Sequence, residues 1–479
     1  MGALKVIKNY SVRESVQNPI SINFPRYFYV LLFCSFAVFS LLSFLKVMSY
    51  LSLFFFAVYL LYLIASEPIL IVKYPAFYFV VIANIVGVAS CEFTHVFLPE
   101  MLCSASFSGS LPLIVFSRWL FLVVIQRFDS VSMLYAPSNS CGAEPESDHR
   151  PSISILMVLT VVVFCLTMAL AVHVLSHPAF LMGVDRVFYT QRYLTGIWGQ
   201  ISGYLNFLIL IPALSIRNNK SKLGIVTVAL YLVTLVCSGV KFGGLFTVLC
   251  SIVLVYFDKI CSMNKNRLRK YLFGMLAVFC ALIVVTVTVQ GTYSDESPLD
   301  YLADRTAQQG ELWWKTVSLY GFESHFEQVP CELSALTLNA DVSDSVGANY
   351  GIYNIMYKTV PSVQVDRYLA GGARYTEAGY ATALYCLGPV GPLLFSVVMG
   401  IAAAFLQNLL LMAISHVWLI QSCLLFRFYN LLQTGISMCV FGQLFTPMSI
   451  ASALIILLMY LIEAKERIVS AKSAVNYRF

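Results

Sequence analysis

The chain has 479 residues and a formal net charge of +6; 59% of its residues are hydrophobic and only 11% are charged. Ordinary soluble domains carry about 25% charged residues and about 45–50% apolar ones, so this composition excludes a soluble globular protein. A mean hydropathy of +0.80 and continuous rather than alternating apolar runs favour helices over a β-barrel. The sequence therefore predicts an all-α polytopic membrane protein.

The N-terminal residues 1–26 are polar and basic, and the apolar run that follows them resembles a retained helix rather than a cleaved signal peptide. Apolar runs then recur along the chain and predict about twelve spanning helices. They lie at 27–45, 51–66, 75–91, 111–125, 153–174, 201–214, 223–257 (two short helices), 271–289, 384–406, 409–426 and within 428–461. Within the last interval, residues 430–447 are loose enough to be re-entrant.

Basic clusters set the predicted orientation, because Lys and Arg in short loops mark the cytoplasmic side. With residues 217–222 and 258–270 inside, both termini and the 126–152 link are also inside. The predicted organisation has five parts. They are a cytoplasmic N-terminus (1–26), helices 1–9 (27–290), a large periplasmic loop (291–383), helices 10–12 (384–462) and a cytoplasmic tail (463–479).

The large loop between helices 9 and 10 is the one long interval that is not apolar. Of the 24 acidic residues in the chain, 12 lie between Gly291 and Tyr380, together with only five basic residues. We call residues 291–380 the acidic segment. An external acidic segment with Tyr and Trp residues is the predicted location of the chemistry, and it argues against a nucleic-acid partner.

The first candidate patch is residues 300–315, which we expect to be helical. At helical spacing Arg305, Gln308, Gln309 and Trp313 fall near one face. Guanidinium, amide and indole groups together suit a sugar or a pyrophosphate, with the indole stacking on the sugar. The alternative is an amphipathic helix that lies on the membrane surface.

The second candidate patch is residues 371–380, which lead into helix 10. Arg374 and Glu377 are three residues apart and share a face if the helix begins early. One could bind phosphate while the other holds a sugar hydroxyl. The alternative is a simple surface ion pair, which contributes little.

Three further cations lie outside the acidic segment. Lys241 is flanked by glycines in a break between two short helices, which suits a lipid phosphate, although an ordinary turn lysine is the alternative. Arg192 lies in an external loop, where an arginine is most often solvated. Arg118 lies inside an apolar run, where it either snorkels or pairs structurally with a partner that sequence does not name.

Several motifs are absent from the sequence. We find no Walker loop, no GxGxxG after a strand, no HExxH, no nucleophile elbow and no Asp-x-Asp pair in the outer region. The sequence therefore predicts no metal and no cofactor.

The layout resembles the O-antigen polymerase (Wzy) family, the polymerases of bacterial oligosaccharide repeat units. About twelve spans with two functional outer loops match the family plan, Arg192 and Gly203 match its Arg-x10-Gly pattern, and Lys241 matches a glycine-flanked basic residue. Residues 353–361 and 372–388 resemble its aromatic-proline patch and glycine-rich approach to a helix. One departure is that no arginine of the acidic segment has a glycine eleven residues later. Whether Arg305, Arg367 or Arg374 does that work therefore stays open.

The resemblance implies a glycosyltransferase in the bacterial inner membrane that makes surface polysaccharide, as in lipopolysaccharide biosynthesis. A glycan on undecaprenyl pyrophosphate would be transferred to a second lipid-linked repeat unit, and a separate chain-length regulator is an implied partner. Arg305, Arg374, Lys241 and Arg192 are the candidate cations for the leaving pyrophosphate. Glu377 or Glu311 is the candidate general base.

Two rival functions share parts of this pattern. An O-antigen ligase has the same overall plan, and a lipid-linked oligosaccharide flippase is a transporter of similar composition. The large acidic segment and the lack of an internal repeat between the two halves argue against the flippase.

The predicted topology places Asn264 in the cytoplasm and Leu333 outside. Reporter fusions at these two positions, one reporter active only inside and one only outside, should therefore give opposite signals. The same signal from both positions would contradict the orientation.

Overall fold

The computed structural model of the chain describes residues 26–135, 153–183, 186–239, 242–294, 297–330, 332–333, 351–371 and 374–476. Within these ranges six helical stretches are long and apolar enough to cross a membrane. They are Lys46–Ser66, Pro75–Phe93, Leu111–Asp129, Ile155–Ser176, Gly196–Asn219 and Val390–Ser415. Shorter apolar helices occur at Tyr27–Leu41, Lys222–Cys237, Gly244–Val255 and Pro447–Leu461. The predicted helical class is confirmed, while the count of about twelve spans stays a prediction.

The helices that precede the acidic segment begin mostly at prolines, polar residues or short turns. In chain order they are α1 (Arg26–Leu41), α2 (Lys46–Ser66), α3 (Pro68–Lys73), α4 (Pro75–Phe93), α5 (Leu111–Tyr135), α6 (Ile153–Ser176), α7 (Ala179–Met182), α8 (Arg186–Tyr193), α9 (Gly196–Leu208), α10 (Leu210–Asn219), α11 (Lys222–Cys237), α12 (Phe242–Val255), α13 (Phe257–Cys261) and α14 (Lys265–Ser294). Between α4 and α5 a small antiparallel hairpin pairs β1 (Phe97–Leu98) with β2 (Cys103–Ser104).

The acidic segment and the C-terminal part are also helical where the structure describes them. Their helices are α15 (Pro298–Ala307), α16 (Glu311–Tyr320), α17 (Gly351–Thr359), α18 (Ser362–Gly371), α19 (Ala378–Leu387), α20 (Val390–Ser415), α21 (Leu419–Met438) and α22 (Pro447–Asn476), with 3-10 turns at Phe326–Gln328 and Phe441–Phe445. Ser297 caps α15, since its hydroxyl accepts from the Asp300 amide at 3.1 Å, and Pro298 occupies the first turn.

Helices α5 and α20 form the centre of the bundle and run parallel. At one end the Ser396 hydroxyl donates to the Ser117 carbonyl at 2.7 Å. Twelve residues further along each helix, Asp129 and Asn408 both bind the Lys73 ammonium. The two contacts are separated by the same number of residues on α5 and on α20, in the same chain direction. The two helices are therefore parallel, with matching positions over about 18 Å. Both helices therefore begin at the same end of the bundle.

The helices of the acidic segment cover the end at which α5 and α20 begin. Trp313 and Trp314 donate their indole N–H groups to the Ser110 and Ser106 carbonyls, at 3.1 and 2.7 Å. Helix α18 packs against α8, so the link that carries Arg192 meets the acidic segment at this end. We call this end of the bundle the loop end.

Two glycines allow the acidic segment to contact the bundle backbone directly. A Cβ added at Gly87 of α4 would lie 2.7 Å from the Gly310 nitrogen, and one added at Gly310 would lie 2.6 Å from the Gly87 carbonyl carbon. Real Cβ atoms essentially never approach this closely. The break between α15 and α16 is thus pressed onto α4, and the glycines make that contact sterically feasible.

Several predicted elements differ from the structure. The spans expected at 384–406 and 409–426 are each interrupted, because helices end at Leu387 and at Ser415. The helix expected at 300–315 is interrupted at residues 308–310, where the chain turns against Gly87. The span expected at 201–214 consists of the consecutive helices α9 and α10. Residues 430–438, assigned to a loose re-entrant portion, continue α21, and the chain turns only at Cys439, whose φ is +56°.

Replacing Gly310 with Ala should destabilise the protein, because the new methyl group overlaps the α4 backbone. We expect the free energy of unfolding to fall by about 1–3 kcal/mol, measured as a lower melting temperature of the full chain in detergent. Gly274→Ala in α14 is the matched control, since nothing lies within 4 Å of its added Cβ. An equal melting temperature for Gly310→Ala and the control would contradict the close contact.

Candidate functional site

The candidate site begins with a buried ion pair between α5 and the end of the acidic segment. Arg118 Nη2 lies 2.6 Å from Glu377 Oε2, and neither side chain is exposed to solvent. The same nitrogen donates to Asn84 Oδ1 at 3.2 Å, and the guanidinium lies 3.8 Å from the centre of the Tyr380 ring. The partner of Arg118 is therefore the residue proposed from sequence as a general base.

The ion pair fixes the backbone where α19 begins. Glu377 has a φ of +64°, which is a left-handed conformation that non-glycine residues seldom adopt. Tyr380 is within hydrogen-bond distance of Ser396 on α20, at 3.1 Å. The strained residue is held by contacts from both α5 and α20, as stored backbone strain requires.

The proposed pairing of Arg374 with Glu377 on one helix face is wrong. Helix α19 begins at Ala378, so Arg374 precedes the helix, and the Glu377 carboxylate faces Arg118 instead. Arg374 is half-buried in the approach to α19. A fully buried carboxylate bound to a guanidinium has no access to an acceptor hydroxyl, which separates Glu377 from the general-base role.

The first patch forms a hydrogen-bonded group on α15 and the turn after it. Arg305 donates to the Gln308 side-chain oxygen, and Gln308 in turn donates to Asp304 Oδ2 at 2.7 Å. The Arg305 guanidinium lies 5.1 Å from the centre of the Tyr301 ring. These residues are intermediate in exposure apart from the buried Tyr301, so the cation is held in place and still reaches the surface.

The Gln309 region connects this patch to the ion pair. Asn84, which accepts from Arg118, donates to the Gln309 carbonyl at 2.9 Å. The Thr376 hydroxyl donates to the Gln308 carbonyl at 2.7 Å. The two patches predicted from sequence are therefore in contact, through backbone atoms rather than through the predicted helix face.

The Trp313 indole leaves no exposed face on which a sugar could stack. Its side chain is 0% exposed and packs in the main core, with the indole N–H on the Ser110 carbonyl. The prediction fails because the break at 308–310 rotates α16 relative to α15, which turns Trp313 toward the bundle. The indole instead helps to anchor α16 to the start of α5.

Glu311, the first residue of α16, is 1% exposed. Among the described residues, neither of its carboxyl oxygens has a hydrogen-bond partner. Burial, and next the Glu100 carboxyl, raise the pKa of Glu311 well above its ordinary value. Glu100 lies in the tight link between β1 and β2, and sequence reasoning did not assign it a role. The only signal was an acidic residue in a short polar link between apolar runs.

The remaining predicted residues lie further from the ion pair or outside the described residues. Arg192 on α8 and Arg367 on α18 are both exposed, on two helices that pack together. Lys241 lies outside the described residues. Within the described ranges, no group of three or more His, Cys, Asp or Glu side chains is placed to hold a metal ion.

A family model described as "Family of unknown function (DUF6418)" matches residues 345–452. No curated protein and no solved structure matches the chain. The matched range contains Arg374, Glu377 and Tyr380, whereas Arg118 and Glu311 precede it.

Replacing Arg118 with Ala should lower the free energy of unfolding by about 3–5 kcal/mol, because it leaves the Glu377 carboxylate buried and unpaired. Arg217→Ala is the matched control. It removes an ion pair with Asp258, whose side chain is 47% exposed, and a 3.0 Å bond to a carbonyl. Such contacts contribute about 1–2 kcal/mol. Melting temperatures in detergent measure the difference.

The double variant Arg118→Met/Glu377→Gln tests the same pair without leaving a buried charge. Its melting temperature should lie above that of Arg118→Ala, since both ionised groups are removed together. A double variant as unstable as the single one would show that the loss comes from packing and not from the charge on Glu377.

Proposed function

We propose that the chain is a membrane glycosyltransferase. In this proposal it joins undecaprenyl-pyrophosphate-linked oligosaccharide repeat units into an O-antigen-type surface polysaccharide, at the periplasmic face of the bacterial inner membrane. The observation that carries the proposal is the half-buried Arg305 at the loop end, which is held by Gln308 and Tyr301 next to membrane-length helices.

The location suits a substrate with three chemically different parts. A polyprenyl chain belongs among apolar helices, a pyrophosphate belongs at the membrane surface, and a glycan belongs in water. The loop end has apolar helices below it and the polar helices of the acidic segment above it. A group at this junction can reach the pyrophosphate while both other parts remain in their preferred environments.

Arg305 and Arg374 suit the leaving pyrophosphate. Transfer of the glycan breaks the bond between the donor anomeric carbon and the phosphate oxygen, so negative charge develops on that oxygen. Guanidinium groups that are already in position stabilise such charge most effectively. Arg305 is held by Gln308 and Tyr301, and Arg374 follows α18 in the chain, in the approach to α19.

The exposed arginines suit a different part of the substrate. Arg192 and Arg367 lie on the packed helices α8 and α18, and both side chains are accessible. Exposed guanidinium groups bind phosphate or glycan oxygens without being fixed for a transition state. We assign them to substrate binding, where the resemblance also placed Arg192.

Arg305→Ala and Arg374→Ala should each abolish long-chain glycan while the protein remains in the membrane. The losses follow from removing a charge that stabilises the departing pyrophosphate, and single groups of this kind contribute about 100- to 1,000-fold in rate. The measurement is the glycan ladder of a deletion host that is complemented with each variant. Arg217→Ala, on the far side of the bundle, is the control and should restore the normal ladder.

The deletion host also separates this function from its rivals. Surface glycan limited to a single repeat unit is the expected phenotype. Complete loss of surface glycan would indicate a ligase, and repeat units accumulating on the inner leaflet would indicate a flippase. Normal ladders from both arginine variants would remove Arg305 and Arg374 from the site.

A further inference from the structure

The C-terminal part of the chain contains one isolated charge. Between Glu377 and Glu463 the sequence has no acidic residue, and Arg427 is its only lysine or arginine. Arg427 lies near the middle of α21, which packs against the membrane-length stretches Gly196–Asn219 and Val390–Ser415. A charge in such a place is costly and commonly marks the path or the site of an ion or a substrate. The proposed function does not use this residue.

Contacts near both ends of α21 fix the depth of Arg427. At the loop end, a Cβ added to Gly379 would lie 2.9 Å from the carbonyl oxygen of Ile436, which is nine residues after Arg427. At the other end, the Trp418 and Tyr460 rings are 5.6 Å apart, and Trp418 is nine residues before Arg427. The helical rise therefore places Arg427 about 13 Å along α21 from either contact. This is too deep for an arginine side chain to extend to either end of the helix.

Two serines of α22 hold the guanidinium from one side. Arg427 Nη2 donates to Ser449 Oγ at 3.1 Å, and Nη1 donates to Ser452 Oγ at 3.3 Å. Each serine hydroxyl donates its own hydrogen to a backbone carbonyl at 2.7 Å, so its lone pairs remain for the cation. These bonds use two of the five N–H groups of a guanidinium. In the described ranges, no carboxylate oxygen lies within 4.0 Å of the Arg427 guanidinium, so its charge is fixed in place without a matching acid.

The face of α21 that carries Arg427 is polar only on its loop-end side. Three polar residues follow Arg427 near that face, Asn430, Thr434 and Ser437, and each is half-exposed. Two turns before Arg427 the same face carries Ile420, which is exposed and apolar. A polar strip therefore runs from the loop end down to the cation and ends there.

Helix α9 faces this strip. The Asn430 amide nitrogen lies 3.5 Å from the Asn206 carbonyl oxygen, and the Asn206 side chain accepts from the Tyr231 hydroxyl at 2.8 Å. One turn nearer the loop end, a Cβ added to Gly203 would have no atom of the described residues within 4 Å. Space is therefore open beside α9 at this height. We call the region between α9 and the Arg427–Ser437 face of α21 the polar groove.

The connection between α21 and α22 descends into the bundle. Helix α21 ends at Met438, about 16 Å along the helix from Arg427, yet α22 begins at Pro447 and contacts Arg427 through its first two turns. Residues 439–446 therefore lie within the depth of the bundle, and most of their side chains are half-exposed. Irregular backbone at membrane depth is tolerated where it is buried in protein or lines a water-filled cavity. The partial exposure of this connection favours a hydrated groove beside it.

Charge and surroundings together define the ligand. An unmatched guanidinium requires an anion, and phosphate oxygens fit its fork of N–H donors. Next to the two serines, α22 exposes the apolar side chains of Met448, Ile450 and Leu454, which suit contact with hydrocarbon chains. A membrane lipid with a phosphate group matches both the cation and this apolar surface.

We propose that the polar groove is a binding site for the phosphate group of a membrane lipid, with Arg427 as the residue that binds the phosphate. The phosphate enters from the loop end along the polar strip and binds the N–H groups that the serines leave open. The hydrocarbon chains of the lipid stay against the apolar surface of α22. The site is separate from Arg305 and goes beyond the proposed function, because binding requires no transfer reaction.

The site is tested with the delipidated full chain in dodecyl maltoside, to which dioleoyl phosphatidic acid or dioleoylglycerol is added. The two lipids have the same hydrocarbon chains, and only the first carries a phosphate. Phosphatidic acid should raise the melting temperature of the wild-type chain, because a ligand that binds only the folded state stabilises it. Dioleoylglycerol should leave it unchanged, and equal shifts from both lipids would contradict a phosphate site.

Arg427→Gln removes the charge and keeps a polar side chain. Its affinity for phosphatidic acid, measured by titrating the melting temperature, should fall about 10- to 100-fold, the range for a lost hydrogen bond to a charged group. Arg427→Lys should recover part of the affinity. Arg217→Gln is the matched control, since Asp258 already pairs with that guanidinium at 2.9 Å, and it should bind as the wild type does. Wild-type affinity in Arg427→Gln would overturn the assignment.

Stability without lipid shows whether the variant folds. Arg427→Gln should melt no lower than the wild type in detergent alone, because the unmatched charge is gone. Ser437→Leu gives an independent test, since it places an apolar side chain at the loop-end entrance of the groove and leaves Arg427 intact. It should also weaken the binding of phosphatidic acid, and wild-type affinity in this variant would overturn entry from the loop end.

Two further ligands identify the source of the phosphate. Inorganic phosphate at the same concentration should shift the melting temperature far less than phosphatidic acid. An equal shift would indicate a site for a soluble anion and overturn the lipid assignment. A larger shift from undecaprenyl phosphate than from phosphatidic acid would support the site and identify a prenyl lipid, while a smaller shift would support it and identify a glycerophospholipid. None of these measurements involves glycan transfer, so the site and the proposed function stand or fail separately.

Discussion

The ion pair between Arg118 and Glu377 is the contact on which the loop end depends. A guanidinium inside an apolar helix is expensive to bury, and a carboxylate in the left-handed conformation adds backbone strain. Neither group is stable there without the other, so the pair forces the start of α19 onto the middle of the bundle. Asn84 extends the same contact to the Gln309 carbonyl, and through it both patches of the acidic segment are tied to α4 and α5.

Glu92, near the end of α4, is another buried acid at the loop end. Amides and hydroxyls, and not a cation, stabilise its negative charge. Its carboxylate accepts from the amides of Ser108, Gly109 and Ser110, at 2.8–3.3 Å, and from two serine hydroxyls. These amides lead into the first turn of α5, where the helix dipole also favours a negative charge. Glu92 therefore joins the end of α4 to the segment that enters α5. The β1–β2 hairpin, which carries Glu100, lies between these two points in the chain.

Residue patterns predicted the classes of element well and the contacts between them poorly. Apolar runs identified the helices because burial in lipid leaves a continuous signal in sequence. Arg118 was noticed as a costly ion, yet its partner is 259 residues away and nothing local to either residue specifies the pairing. The helical spacing of 300–315 suggested one face for Arg305 and Trp313. That expectation failed because Gly310 packs on Gly87, a contact that no periodicity within the segment encodes.

The contrast between Glu377 and Glu311 shows why burial alone does not define a catalytic acid. Both are fully buried carboxyl groups at the start of a helix in the same layer. Glu377 faces a guanidinium, so its charge is matched and its hydrogen-bonding capacity serves the fold. Glu311 has no hydrogen-bond partner among the described residues, and burial raises the pKa of its carboxyl, which favours the protonated form. This difference in partner, and not the depth of burial, separates a carboxyl group that serves the fold from one whose charge the fold leaves unmatched.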